Sequence, residues 1–280
     1  MLRIFVLFLV IVSLSFGALY WKNRQDEYAL QDVEGAYIER DSPFDNRDPD
    51  PNNVNAQQPR VIFHGPRDQK KLALTFDAEM TDGMKWKVSQ NKNAVSYDKR
   101  IIDTLLSTNT KATLFLTGMW AELYPSYTTQ LSKNPLFEIA SHSYADTSFH
   151  GYCYGLKQIS KTQAKEDIQK TQTLLEKLTG RRPKFFRFPG GCYSQDDLMM
   201  VTKEGLTVVH WDVKGVDGFN WNAGLVESNV VDNAQNGSII ILHLNGEPTA
   251  PKTAQSLPNI IKRLKEKGFE FVTVSELLNL

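Results

Sequence analysis

The 280-residue chain, 41% of it hydrophobic, is long enough for one barrel-sized domain or two small ones, and for a buried core. Acidic and basic residues balance at 32 each and no basic stripe interleaved with aromatics occurs, which excludes nucleic acid as a partner. Two cysteines, Cys153 and Cys192, are too few for a four-cysteine zinc site.

Residues 1–22 run apolar from Ile4 to Trp21. That length falls between the apolar core of a signal peptide and a membrane span. Ser15 and Gly17 offer a small-x-small cleavage site, whereas Tyr20, Trp21, Lys22 and Arg24 suit an interfacial anchor. Cleavage and membrane retention both stay open. Either exports the rest of the chain to the periplasm or cell envelope. Residues 23–59 are polar and rich in Asp, Asn, Gln and Pro, as in Asp48-Pro49-Asp50-Pro51. They carry too little apolar area to offset the entropy of ordering, and read as a linker.

Residues 60–280 read as the folded domain. Short apolar runs recur at Leu72–Phe76, Ala112–Leu116, Leu136–Ala140, Phe185–Phe188, Thr207–Trp211, Ser238–Leu242 and Phe271–Val274. Between them lie helical periods, the cleanest being Leu257, Ile260, Ile261 and Leu264 at i, i+3, i+4, i+7. Strand and helix alternating in this way predict an α/β fold with a parallel sheet, open or closed.

Ionisable residues fall where those runs end. Asp77 follows the first, His142 the third, Arg187 lies in the fourth, Asp212 follows the fifth and His243 the sixth. Any one of them has an ordinary structural explanation: Asp as a turn former, His as a bonded core residue, Arg as an ion-pair partner. As a set at the carboxyl ends of parallel strands, where such folds collect their chemistry, they predict an enzyme site. Carboxylates, imidazoles and a guanidinium suit hydrolysis in which a metal polarises a carbonyl, a base activates water and an imidazolium protonates the leaving group.

Six stretches carry a resemblance: Leu72–Asp77, Ala112–Gly118, Glu138–Ser143, Phe186–Gly191, Trp211–Val213 and Ile240–His243. In order, they resemble the motifs of the polysaccharide deacetylases, carbohydrate esterase family 4. The resemblance implies a distorted parallel (β/α) barrel, here of about seven strands, that removes N-acetyl groups from an amino-sugar polysaccharide such as peptidoglycan, a chitin-like polymer or an exopolysaccharide. It implies Asp77 as general base, Arg187 as the cation that keeps that base ionised, and His243 as general acid. Asp212 with Trp211 matches the fourth motif, and Asp217 suits the Asp that tunes the acid histidine. Gly190 falls at the oxyanion donor and Leu242 at the wall of the acetyl-methyl pocket.

The sequence departs from the family pattern at the metal. The slot of the ligand Asp is Ala78, and the second ligand His is Asp146. Two outcomes stay open. The site is rebuilt from Glu79, His142 and Asp146 around a divalent ion, Zn²⁺ first and Mn²⁺, Co²⁺ or Mg²⁺ as alternatives, or the metal is lost and a non-catalytic glycan-binding cleft remains. Export permits a Cys153–Cys192 disulfide, which would tie the histidine-motif loop to the arginine-motif loop.

Overall fold

A computed structural model describes residues 59–91, 94–218 and 220–280. The segment 1–22 and, but for Pro59, the linker 23–59 lie outside them. The strands are β1 (Val61–Ile62), β2 (Lys71–Ala78), β3 (Ala112–Leu116), β4 (Phe137–Ser141), β5 (Phe185–Phe186), β6 (Thr207–Val209), β7 (Val213–Lys214), β8 (Ile239–His243) and β9 (Glu270–Phe271). Around them lie α1 (Asp82–Gln90), α2 (Lys99–Ser107), α3 (Gly118–Leu123), α4 (Pro125–Lys133), α5 (Lys161–Thr179), α6 (Gln195–Lys203), α7 (Ala223–Asn233), α8 (Thr253–Glu266) and α9 (Val274–Leu277).

The strands pair in parallel in the order β1-β6-β5-β4-β3-β2-β8-β7, with β9 also on β2. The sheet curls with helices outside it, as a distorted (β/α) barrel does. Every residue of β2 after Lys71 is buried, because neighbouring strands and both faces enclose it.

Side-chain alternation splits the core into two layers. Leu72, Leu74 and Phe76 face the helices, where the α8 stripe of Leu257, Ile260, Ile261 and Leu264 is buried against them. Each of those four contributes about 1.5–3 kcal/mol by leaving water. Ala73 faces inward with Phe115, Ala140, Phe185, Val209 and Ile239. Asp77 continues that inward series at the end of the strand.

Each of the seven predicted runs overlaps a strand, and the described residues hold two more. β1 and β7 are two residues each, too short for any period to register. The last run stops early: Thr273 caps α9 in a reciprocal pair with Glu276, which turns Val274 into helix.

Candidate active site

Strand ends deliver the site. Asp77 and His243 are register partners at the ends of β2 and β8, and His142 and Arg187 directly follow β4 and β5. Arg187 is fully buried and donates from Nη1 to Asp77 Oδ1 at 2.7 Å, from Nη2 to the His210 carbonyl at 3.1 Å and from Nε to that of Val209 at 3.3 Å. Its guanidinium lies 3.9 Å from the Phe115 ring centroid. Burial opposes the Asp77 charge most strongly, but Arg187, His142 and His243 together outweigh it and hold the carboxyl below its ordinary value. Asp77 is a carboxylate at neutral pH.

His243 has the opposite bias. Its Nδ1 meets Asp217 Oδ1 at 2.9 Å, its backbone N–H donates to Asp217 Oδ2 at 2.8 Å, and Thr253 Oγ1 donates to the same oxygen at 2.5 Å. Glu79 Oε1 stands 3.3 Å from Nε2. Burial works against a charged imidazole here, yet Asp217 and Glu79 together raise it well above the usual histidine value. The loop that carries Asp217 is strained: Val216, a β-branched residue, sits at φ 55°. Such outliers persist where the surroundings over-determine them, and they gather at functional sites.

A third group lies between these pairs. The ligand atoms of Glu79, His142 and Asp146 all fall within 4.8 Å of one another. His142 Nδ1 lies 3.0 Å from the Arg187 carbonyl, which only accepts, so Nδ1 carries the proton and Nε2 presents its lone pair. That Nε2 and Asp146 Oδ1 are both buried, have no hydrogen-bond partner, and face each other at 3.7 Å. Burial, aided by Asp77 and Glu79 nearby, pushes the Asp146 carboxyl well above the carboxylate range, and burial holds His142 below its usual value. A neutral imidazole lone pair, the buried Asp146 oxygen and the half-buried Glu79 carboxylate, gathered at one place, fit a divalent cation.

The spacing Asp77-Ala78-Glu79 follows from strand geometry. Positions two apart share a face, so Asp77 and Glu79 both point to the site while Ala78, fully buried, joins the outer core. Asn245 holds Glu79 in place: its Oδ1 accepts from the Glu79 amide at 2.9 Å and its Nδ2 donates to the Glu79 carbonyl at 2.9 Å.

Residues 64–209 match the family model "Polysaccharide deacetylase". A peptidoglycan-N-acetylglucosamine deacetylase of Bacillus cereus is 30% identical over 77% of this chain and 70% of its own length. The chain belongs to the polysaccharide deacetylase family. Among solved structures, the Bc1960 peptidoglycan N-acetylglucosamine deacetylase superposes with a TM-score of 0.66 at 28% identity, over 78% of this chain and 92% of that one. BA3943, a CE4 family pseudoenzyme from Bacillus anthracis, superposes with a TM-score of 0.64 over 79% of this chain and 69% of that one; at 21% identity it shows the fold alone.

Two predicted site residues of this deacetylase lie elsewhere. Asp212 precedes β7 and sits at the amino end of the sheet, bonded to Arg67 Nη2 at 2.8 Å, Ser238 Oγ at 3.0 Å and the Ile239 amide at 2.8 Å. His243 is at the opposite end of β8. The apolar run from Thr207 continues through Trp211 and makes Asp212 look like a carboxyl-end residue, but β6 stops at Val209 and the chain starts a new strand at Val213. Leu242 is the second correction. It is fully buried and alternates away from His243 into the helix-facing core, whereas Ile241, 9% exposed, shares the site face.

The other candidates fall near the site. Trp211 stacks on His210 at 3.9 Å between ring centroids and lies 5.5 Å from the Arg187 guanidinium. Gly190 has φ 61°, and a Cβ there would stand 2.5 Å from Cys153 Sγ, so only glycine fits the turn after β5. Cys153 and Cys192 form the disulfide with Cα atoms 6.1 Å apart, tying that turn to the loop after β4. Asn245 and Thr253 were missed by sequence reasoning. Asn245 lies two residues past His243, which was the one signal available; nothing marked Thr253.

Proposed function

We propose that this deacetylase hydrolyses N-acetyl groups on the amino sugars of peptidoglycan at the cell envelope, using a divalent ion held by Glu79, His142 and Asp146. The substrate class comes from what the B. cereus relative is named for. The observation that carries the metal is the His142 tautomer, whose buried lone pair faces the buried, unpartnered Asp146 oxygen. Those three residues would hold the ion, and its charge would supply polarisation of the acetyl carbonyl and a more acidic water near neutral pH.

The chain's own residues do the rest. Asp77, kept ionised by Arg187, takes a proton from the attacking water as its oxygen bonds to the acetyl carbon. The Gly190 amide donates to the developing oxyanion. His243, protonated and oriented through Nδ1 by Asp217, gives its Nε2 proton to the amine as the C–N bond breaks and acetate leaves. Ile241 supplies the apolar wall for the methyl group, and Trp211 backs Arg187.

Chelator-stripped protein is expected to release no acetate from N-acetylated peptidoglycan fragments and to regain activity with Zn²⁺. Calorimetry should give one ion per chain, with affinity lost in Glu79→Gln and Asp146→Asn. No bound ion, and no acetate with Zn²⁺, Mn²⁺, Co²⁺ or Mg²⁺ supplied, would instead make the chain a non-catalytic glycan-binding protein.

The acid has its own signature. Because folding raises the His243 value, the alkaline limb of kcat should lie above the ordinary 6.5. Asp217→Asn removes the nearest negative charge and should move that limb to lower pH while the acid limb stays in place. An unmoved alkaline limb would remove Asp217 from this role.

A further inference from the structure

The loop that delivers Asp146 is held in an unfavourable backbone conformation. Ser143 has φ 62° and Asp146 itself φ 52°, two non-glycine residues in the left-handed region within four positions. Such a loop keeps its shape only where its surroundings fix it. Its carbonyls are fixed from one side, where the Gly118 amide at the start of α3 donates to Ser143 O at 2.9 Å and the Met119 amide to Tyr144 O at 2.7 Å. The close approach needs Gly118, since a Cβ there would stand 2.4 Å from Tyr144 Cδ2.

An amide is fixed from the other side by a residue outside every motif. Asp167, on α5, accepts from the Tyr144 amide at 2.7 Å through Oδ1. The Tyr144 side chain closes the same region from outside, donating to Glu122 Oε2 at 2.6 Å under Lys170 Nζ, which lies 3.3 Å from its ring centroid. Nothing else among the described residues is recorded accepting the Tyr144 amide.

We infer that Asp167 is a positioning residue of the metal site: by gripping the amide of Tyr144, it sets the turn that aims Asp146 at His142. The residue acts through the loop and touches neither ion nor substrate. The inference rests on the metal reading above. It also accounts for how a carboxylate, shorter than an imidazole, serves in the slot at Asp146: the loop must be held close, and α5 supplies the hold.

The test is Co²⁺ binding to the purified, metal-free protein, followed by visible absorption, with Asp167→Leu and Asp167→Asn beside the unmodified chain. Leucine keeps the branching of the carboxylate, with bulkier ends and a stronger helix preference, but accepts nothing; asparagine keeps an acceptor oxygen in the same place. Asp167→Leu should bind Co²⁺ about 10- to 100-fold more weakly, the usual loss when an outer partner of a ligand goes, and should change the absorption envelope. Asp167→Asn should stay closer to the unmodified protein. Circular dichroism and the melting temperature of the metal-free forms report any general loss of fold. A folded Asp167→Leu that binds Co²⁺ normally overturns the inference, as does equal weakening in both variants, which would make charge rather than the hydrogen bond responsible. Failure of the unmodified chain to bind Co²⁺ overturns the metal reading itself.

Discussion

Asp77→Asn is expected to lower kcat for acetate release by about 10²- to 10⁴-fold, the range over which a positioned base acts. Asparagine matches the carboxylate in shape and still offers an oxygen to Arg187 Nη1, now at 2.7 Å, so the far-ultraviolet circular dichroism spectrum should be unchanged. What disappears is the proton acceptor. Oxygen from water can reach the acetyl carbon only if its proton has somewhere to go. The remaining carboxylates are committed elsewhere: Asp217 to His243 and Thr253, and Glu79 and Asp146 to the group around His142. Acetate release by Asp77→Asn at the rate of the unmodified enzyme would end the assignment of Asp77 as base.

Arg187→Met should destabilise the domain by about 3–5 kcal/mol, the usual cost of breaking a buried ion pair from one side. For a folded unit of this size that corresponds to a fall in melting temperature of roughly 6–20 °C. The reason is the partner left behind. Asp77 is 2% exposed and would lose its strongest compensating charge. In the native protein the Asp77 value is depressed from 3.8, so the stability it contributes is present above that pH and lost as pH falls through the folded value. Without Arg187 the sign reverses: burial raises the carboxyl, protonation relieves it, and the penalty grows with rising pH. The melting difference between Arg187→Met and the unmodified protein should therefore narrow in acid. The double variant Arg187→Met, Asp77→Leu should recover much of the loss, because an apolar pair leaves no buried charge. A melting difference that does not change with pH would show that lost packing against Phe115, rather than charge, is responsible.

Both expectations centre on residues legible without a structure, and the reason is local. A parallel strand buried on both faces must be written as a continuous apolar run, so a charged residue at its end is conspicuous. Asp77, His142 and His243 were visible on that ground, and alternation alone places Asp77 and Glu79 on one face. Leu242 and Asp212 went astray because the boundaries of short strands, and hence their parity, are weakly written: β6 is three residues and β7 two.

By itself, then, the sequence determined the family, the parallel α/β architecture and the strand-end residues available for proton transfer, since each depends on patterns read along a single strand or motif. Only the tertiary structure decided which of those residues meet. It brought side-chain oxygens of Glu79 and Asp146 and a ring nitrogen of His142 within 4.8 Å of one another, put Asp212 at the far end of the sheet, and set Asp167 and Asn245, from outside every motif, against Tyr144 and Glu79. Those outcomes depend on contacts between residues far apart in the chain, such as Asn245 with Glu79, 166 positions away, and no local period records them.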